Sequence, residues 1–177
     1  IVRSLVGSEM CIRDRFEAVE RGDIKVIWIM ATNPVVSMPD HDYVRRALER
    51  CPTVIVSDIT PDSDVAKYAN LLLPAAGWGE KQGMVTNSER RITRQRRFIQ
   101  PPGCAKPDWQ AICEVGKKLC ERMDIANGFG FSNEVEVFRE FSAMTGLNQD
   151  SSLMLDLSEH ADTVSYTHLT LPTRSTV

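Results

Sequence analysis

Two short runs decide the fold: IKVIWIM (residues 24–30) and TVIVS (residues 53–57). Each is a nearly continuous apolar run rich in Ile and Val, the pattern of a strand buried on both faces. Between them, ATNPVVSMPD (residues 31–40) is loaded with turn formers and reads as a loop. Pro39 and Asp40 suit the first turn of a helix. Tyr43, Val44, Ala47 and Leu48 then repeat at helical spacing, until Cys51-Pro52 ends the element. After the second run, Thr60 is placed to cap a further helix, with Pro61 and Asp62 behind it, reaching about Ala69. Leu71, Leu72 and Leu73 read as a third short strand stopped by Pro74. Strand, helix, strand, helix, strand is the signature of an α/β fold, a parallel sheet with flanking helices.

Downstream the pattern changes. Residues 77–88 hold three glycines and few apolar positions, which predicts an ordered loop or irregular hairpin. Residues 90–98 carry five arginines, with Ile92 and Phe98 as the large apolar side chains. A helix should open at Pro107-Asp108 with Ile112, Val115, Gly116, Leu119 and Met123 on one stripe. A last amphipathic helix is expected over residues 133–144, with Val135, Val137, Phe138, Phe141 and Met144 on its apolar side.

Composition excludes several classes. The 177 residues carry 21 basic and 24 acidic side chains, a formal charge of -3, and are 42% hydrophobic. A charge so near neutral gives no global pull toward nucleic acid, and the apolar content is too high for disorder. No apolar run approaches the roughly 18 residues a membrane span requires. Five cysteines, without a Cys-x-x-Cys pair, argue against a disulfide framework and a zinc ribbon. With only three histidines, at 41, 160 and 168, a histidine metal site is not expected.

The two ends stand apart from the rest. Met10-Cys11-Ile12-Arg13-Asp14 can be encoded by a DNA stretch whose reverse complement reads Val-Ser-Tyr-Thr-His, which is Val164 to His168. Inverted tags flanking a sequenced fragment produce such a relation, whereas two natural segments have no reason to. LVGSEMCIRDR (residues 5–15) and VSYTHLTLPT (residues 164–173) resemble translated sequencing adapter. Residues 1–15 and 163–177 are therefore expected to be adapter-derived, leaving residues 16–162 as a partial domain with few apolar contacts to either arm.

In an open α/β sheet, ligands bind beyond the carboxyl ends of the parallel strands. Thr32-Asn33-Pro34 and Ser57-Asp58 occupy that address. Asp58 could accept two parallel donors such as those of guanine, or simply cap the next helix; Asn33 could close an Asx turn. Lys81, among glycines, could bring a point charge to a phosphate, although no Walker motif is present. Asp108 at a helix start is favourable without any ligand, by roughly 0.3 to 1 kcal/mol. The arginines of residues 90–97 read as a solvated strand face, and Cys113 and Cys120 as apolar core. No catalytic triad, carboxylate dyad or metal-ligand cluster can be assembled, so no catalytic and no metal-binding residue is assigned.

Four blocks, WIMATNP (residues 28–34), VIVSD (54–58), LLLPAAGWGEKQGMVTNSERRITRQRRFIQPPG (71–103) and AKPDW (105–109), resemble the molybdopterin oxidoreductase family in order and spacing. Within it, GWGEK, VTNSERRI and RQR are most similar to the catalytic subunit of assimilatory nitrate reductase, and formate dehydrogenase large chains share the block. The resemblance implies a Rossmann-like, incomplete piece of the third domain, the part that grips one dinucleotide of a molybdenum bis(molybdopterin guanine dinucleotide). It implies contacts to that cofactor from Asn33, Ser57, Asp58, Lys81 and Asp108. The metal ligand and a 4Fe-4S iron-sulfur cluster would lie in upstream sequence, and a further cofactor-binding domain downstream. The parent would reduce nitrate to nitrite in the cytoplasm with electrons from a donor protein or reductase subunit, and the piece alone would be inactive. Formate oxidation, or a non-catalytic respiratory-complex subunit that keeps the fold, are the alternatives. The sequence departs from the family pattern at Cys104, where an acidic residue is usual, and in SSLMLDLS (residues 151–158).

Overall fold

The computed structural model describes residues 12–89, 91–145, 157 and 168–170. They fall into two compact units, one running up to Ala75 and including Gly103–Asp108, the other comprising Ala76–Pro102 and the chain from Trp109 onward.

The first unit is a parallel three-stranded sheet. Strands β1 (Val26–Met30), β2 (Thr53–Asp58) and β3 (Leu71–Pro74) are ordered β1-β2-β3. Met30 lies opposite Ser57 and Asp58 opposite Pro74, so the carboxyl ends of neighbouring strands form one edge. Side chains alternate across the sheet. Ile27, Ile29, Val54, Val56 and Leu72 form one face and pack with Phe16 and Val19 of helix α1 (Ile12–Glu20) and Val44, Ala47 and Leu48 of helix α3 (His41–Arg50). Each large aliphatic buried there stabilises the unit by roughly 1.5 to 3 kcal/mol. The opposite face carries Val26, Trp28, Met30, Ile55 and Leu71, and Val26 and Leu71 keep 57% and 50% of their surface exposed. Burial is thus concentrated on one face, where Ile29, Val54 and Val56 are buried and Ile27 and Leu72 half-buried, contrary to the two-face burial read from composition, because both helices of the core lie on the same side.

Helix α1 has no counterpart in the sequence-based expectation. It rests on the one-turn spacing of Phe16 and Val19, and Gly22 ends it in the left-handed region (φ +80) with its N–H bonded to the Val19 carbonyl at 3.0 Å. Three further boundaries move. The expected loop after β1 contains one helical turn, α2 (Pro34–Ser37). Asp40 is the cap of α3 rather than part of its first turn, its carboxylate accepting the Tyr43 N–H at 2.9 Å. The helix expected from Thr60 contracts to a 3-10 turn, Val65–Tyr68. Thr60 Oγ1 accepts the Asp62 N–H at 3.3 Å, an ST turn that competes with helix initiation. Asn70 then ties the chain back to β2, its Oδ1 accepting the Val54 N–H at 2.7 Å.

In the second unit a 3-10 turn (Trp78–Glu80) leads into an antiparallel hairpin of β4 (Gly83–Thr86) and β5 (Arg91–Gln95). In β5 Ile92 and Gln95 are buried and Arg91 and Thr93 exposed, while Arg94, on the same face as Ile92, is half-buried, so the arginines do not form a single solvated strand face. Helix α4 (Asp108–Met123) starts where expected, and helix α5 (Glu134–Thr145) follows Asn133, whose Oδ1 accepts the Val135 and Glu136 N–H groups at 3.0 and 3.1 Å. The buried lines of these helices differ from the expected stripes. Ile112, Leu119, Met123, Phe141 and Met144 are exposed, while Gly116 with Cys120, and Phe138 with Ser142, are buried. The Phe129 ring selects the α4 line, since a Cβ on Gly116 would lie 2.6 Å from it. Trp78 is exposed and Trp109 half-buried. Strand β6 (His168–Thr170) pairs with β5 at the outer edge of its sheet, and the rest of the two terminal arms lies mostly outside the described residues. Among the described residues no helix is long and apolar enough to cross a membrane, and no cluster of His, Cys, Asp and Glu could hold a metal ion.

Candidate cofactor-binding site

The carboxyl edge of the first unit's sheet collects Asn33, Ser57, Asp58 and the segment leading to Asp108. That segment reaches the edge through Lys106, whose N–H donates to the Pro74 carbonyl at 3.1 Å, beside a parallel bridge between Ala75 and Lys106. Lys81 belongs to the second unit, where it follows the Trp78–Glu80 turn and is half-buried. The backbone there is held closely: the Trp78 carbonyl accepts from the Gln95 side chain, and the Phe98 ring approaches Gly79 so that a Cβ would meet it at 2.5 Å.

Asn33 precedes α2 at the cap position, yet its side chain caps nothing. The Val36 and Ser37 N–H groups bond instead to the Asn33 backbone carbonyl, at 3.1 and 2.9 Å, and Pro34 has no N–H to offer. Asn33 Oδ1 is consequently buried without a hydrogen-bond partner among the described residues, so the Asx turn that would have explained this residue is not formed. Leaving such a group unsatisfied costs roughly 1 to 3 kcal/mol.

Asp58 closes a local Asx-type turn at the end of β2 and caps no helix, since the next helical turn begins only at Val65 with Asp64 at its cap position. Asp58 Oδ1 accepts the Ile59 N–H at 2.7 Å and the Thr60 N–H at 3.4 Å, while no donor among the described residues meets Oδ2. Ser57, only 6% exposed, accepts a hydrogen bond from the Trp28 indole, Nε1 to Oγ, at 2.9 Å. Ser63 Oγ, in the turn that follows β2, is a further buried polar atom with no partner among the described residues. Neither Trp28 nor Ser63 was singled out from sequence. Trp28 sits inside an apolar run where its size accounts for it, and Ser63 is one polar residue among several in PDSD.

Residues 8–118 match the family model described as molybdopterin oxidoreductase. The chain belongs to the molybdopterin oxidoreductase family. It is 52% identical over 143 residues to a nitrate reductase of Shewanella frigidimarina, covering 81% of this chain and 14% of the relative. A nitrate reductase of Klebsiella oxytoca is 46% identical over 147 residues, 83% of this chain and 16% of the relative. The alpha subunit of an F420-dependent formate dehydrogenase from Methanocaldococcus jannaschii is 39% identical over 123 residues, 70% and 18% respectively. The chain therefore spans less than a fifth of the length of these curated relatives.

A molybdopterin oxidoreductase needs groups that match a polar pterin cofactor. At the sheet edge Asn33 Oδ1 requires a donor, Asp58 Oδ2 can accept one, and the Ser57 hydroxyl retains a hydrogen to give. This set fits a ligand bearing both donors and acceptors.

Proposed function

We propose that this chain forms part of the site for one molybdopterin guanine dinucleotide in a molybdenum-dependent nitrate reductase. The observation that carries the reading is the buried, unpartnered Asn33 carbonyl oxygen at the carboxyl edge of a parallel sheet. Asp58 accepts guanine N–H donors through Oδ2, Asn33 accepts a further donor, and Ser57 donates. Lys81 supplies positive charge for the pyrophosphate, and Asp108 a carboxylate at the start of α4. These residues bind and orient the cofactor and perform no proton transfer. The molybdenum it carries supplies the redox chemistry: nitrate takes up two electrons and two protons and becomes nitrite and water. The metal ligand, an iron-sulfur cluster and the surface for an electron donor belong to other parts of the parent. Residues 16–162 are the family-derived part, residues 1–15 and 163–177 adapter-derived, and the parent acts in the cytoplasm.

The greater identity to the Shewanella and Klebsiella nitrate reductases than to the formate dehydrogenase supports nitrate as substrate, and the presence of the TNP, SD and GEK blocks weighs against a non-catalytic subunit. The test is the purified full-length parent. Acid release should yield guanine nucleotide in step with molybdenum, with reduced-dye oxidation driven by nitrate and no dye reduction by formate. A parent that reduces dye with formate would overturn the substrate, and one without guanine nucleotide would overturn the site.

A further inference from the structure

We propose that Ala31 is a positioning residue: held in the left-handed backbone region at the end of β1, it directs the turn that carries Asn33 and so presents the Asn33 carboxamide oxygen to the ligand. The inference rests on the site proposed above and adds to it a residue that acts through Asn33.

Among the described residues, Ala31 (φ +54) and Asp124 (φ +53) are the non-glycine residues with positive φ. Asp124 directly follows α4, where a left-handed residue is an ordinary way to end a helix. Ala31 follows a strand, and no helix end explains it. A residue with a Cβ is crowded by its own backbone in this region, so the conformation persists only where the surrounding structure imposes it. Here both flanks are anchored. Met30 is fixed in the sheet opposite Ser57. Pro34 and Val35, which open α2, are buried, and Val35 belongs to the core at 1% exposure. Residues 31–33 alone join these anchors. Asn33 has little freedom of its own, because a residue before proline is kept out of the helical region, and its φ of −121 and ψ of 85 comply. An extended Ala31 would carry the chain onward past the sheet edge by about 3.3 Å per residue. The left-handed residue turns it back, and Asn33 Oδ1 ends up buried without a partner among the described residues, while Ala31 and Thr32 stay exposed. A strained turn that holds an unsatisfied acceptor in place before the ligand arrives lowers the ordering cost of binding.

The experiment compares substitutions at position 31 in the full-length parent, reading the rate at which guanine nucleotide leaves the purified protein, with the thermal midpoint of the cofactor-free form as a second measurement. Glycine and asparagine enter the left-handed region readily, and β-branched residues least of all. Ala31→Gly and Ala31→Asn should therefore retain nucleotide like the wild type, whereas Ala31→Val should release it about tenfold faster, the equivalent of one hydrogen bond. In an Asn33→Ala background, itself faster in release, Ala31→Val should add no more than about twofold, since the atom it misplaces is already gone. A direct clash between the valine and the ligand would persist in that background and add in full. Such additivity, or an Ala31→Val variant that lowers the midpoint without speeding release, would overturn the positioning role while leaving the site intact. Rapid release from Ala31→Gly would overturn it too, because glycine keeps the conformation and loses only the methyl group, and that outcome can be read even where Ala31→Val does not fold. If Asn33→Ala and Asp58→Asn both hold nucleotide like the wild type, the site itself is refuted.

Discussion

Replacing Asp58 by Asn separates a turn former from a ligand. The turn uses Oδ1, which accepts two backbone N–H groups, from Ile59 at 2.7 Å and Thr60 at 3.4 Å. Asn closes such turns about as well as Asp, so folding stability should change by only about a few tenths of a kcal/mol. The same two donors also dictate how the amide must sit. Its carbonyl has to take the Oδ1 place, since the NH2 group there would face two N–H groups, and the NH2 is forced into the Oδ2 place. A guanine edge presents N–H donors to that position, so a charge-assisted bond is exchanged for a clash of donors. One such bond is worth roughly 1.5 to 3 kcal/mol, which corresponds to about 10- to 150-fold weaker retention. The assay is guanine and molybdenum per polypeptide in the purified full-length variant, alongside Glu49→Gln on the exposed face of α3 and a thermal melt. An Asp58→Asn protein with full guanine and molybdenum content would reduce Asp58 to a turn former and refute the reasoning.

Asn33→Ala should leave the thermal midpoint of the cofactor-free parent unchanged or raised, because it deletes a buried acceptor with no partner, yet it should lower guanine content; a lower midpoint with normal content would contradict both. Leu48→Ala, at a side chain 2% exposed between α3 and the sheet, should cost about 2 to 5 kcal/mol in denaturant unfolding. Asp40→Ala should cost about 1 kcal/mol through loss of the bond to the Tyr43 N–H, measured the same way. Burial, and secondarily the Glu140 carboxylate, hold the Cys113 thiol above its ordinary pKa. The unfolded thiol ionises first, so this group leaves stability untouched at neutral pH and lowers it as pH rises past the ordinary thiol value. Glu140→Gln should move the alkylation midpoint of Cys113 to lower pH, and an unmoved midpoint would leave burial as the sole cause.

The parallel sheet was legible because its strands are short apolar runs separated by helix-length segments, and the pairing of residues 24–30 with 53–57 follows from that rhythm alone. What the runs could not reveal is how many faces are covered. Burial on one face with half-exposure on the other leaves Val26 and Leu71 looking like core in the sequence. The α4 stripe misled for a related reason: Ile112, Leu119 and Met123 keep perfect helical spacing, but the buried line is chosen by the Phe129 ring seated over a glycine. Long-range side-chain partners of this kind leave no periodic trace. Asn33, Ser57 and Asp58 could be named as candidates from their place after strands, and they fall in one unit with Asp108, while Lys81 belongs to the other. The Trp28 to Ser57 contact is invisible in sequence, since it depends on the register between two strands.

The departures from local rules at this edge have a common direction. Asn33 stands at a helix start, where an amide side chain normally turns inward to cap, and Val36 and Ser37 are satisfied by the backbone carbonyl instead. Ser57 accepts from an indole and has a hydrogen left over; Asp58 closes its turn with one oxygen and has the other left over. A sequence selected for stability alone would close these accounts locally, since a buried acceptor without a donor is a net cost of folding. In each case the backbone or a neighbouring side chain has taken over the structural duty, and the released polar atom lies at the carboxyl edge of the parallel strands. Ligand binding at that edge turns the same unsatisfied atoms from a cost into contacts, and the stability gained on binding grows with ligand concentration relative to its dissociation constant. The cofactor-free parent should accordingly be the less stable form, with the difference concentrated in the unit that carries β1, β2 and β3.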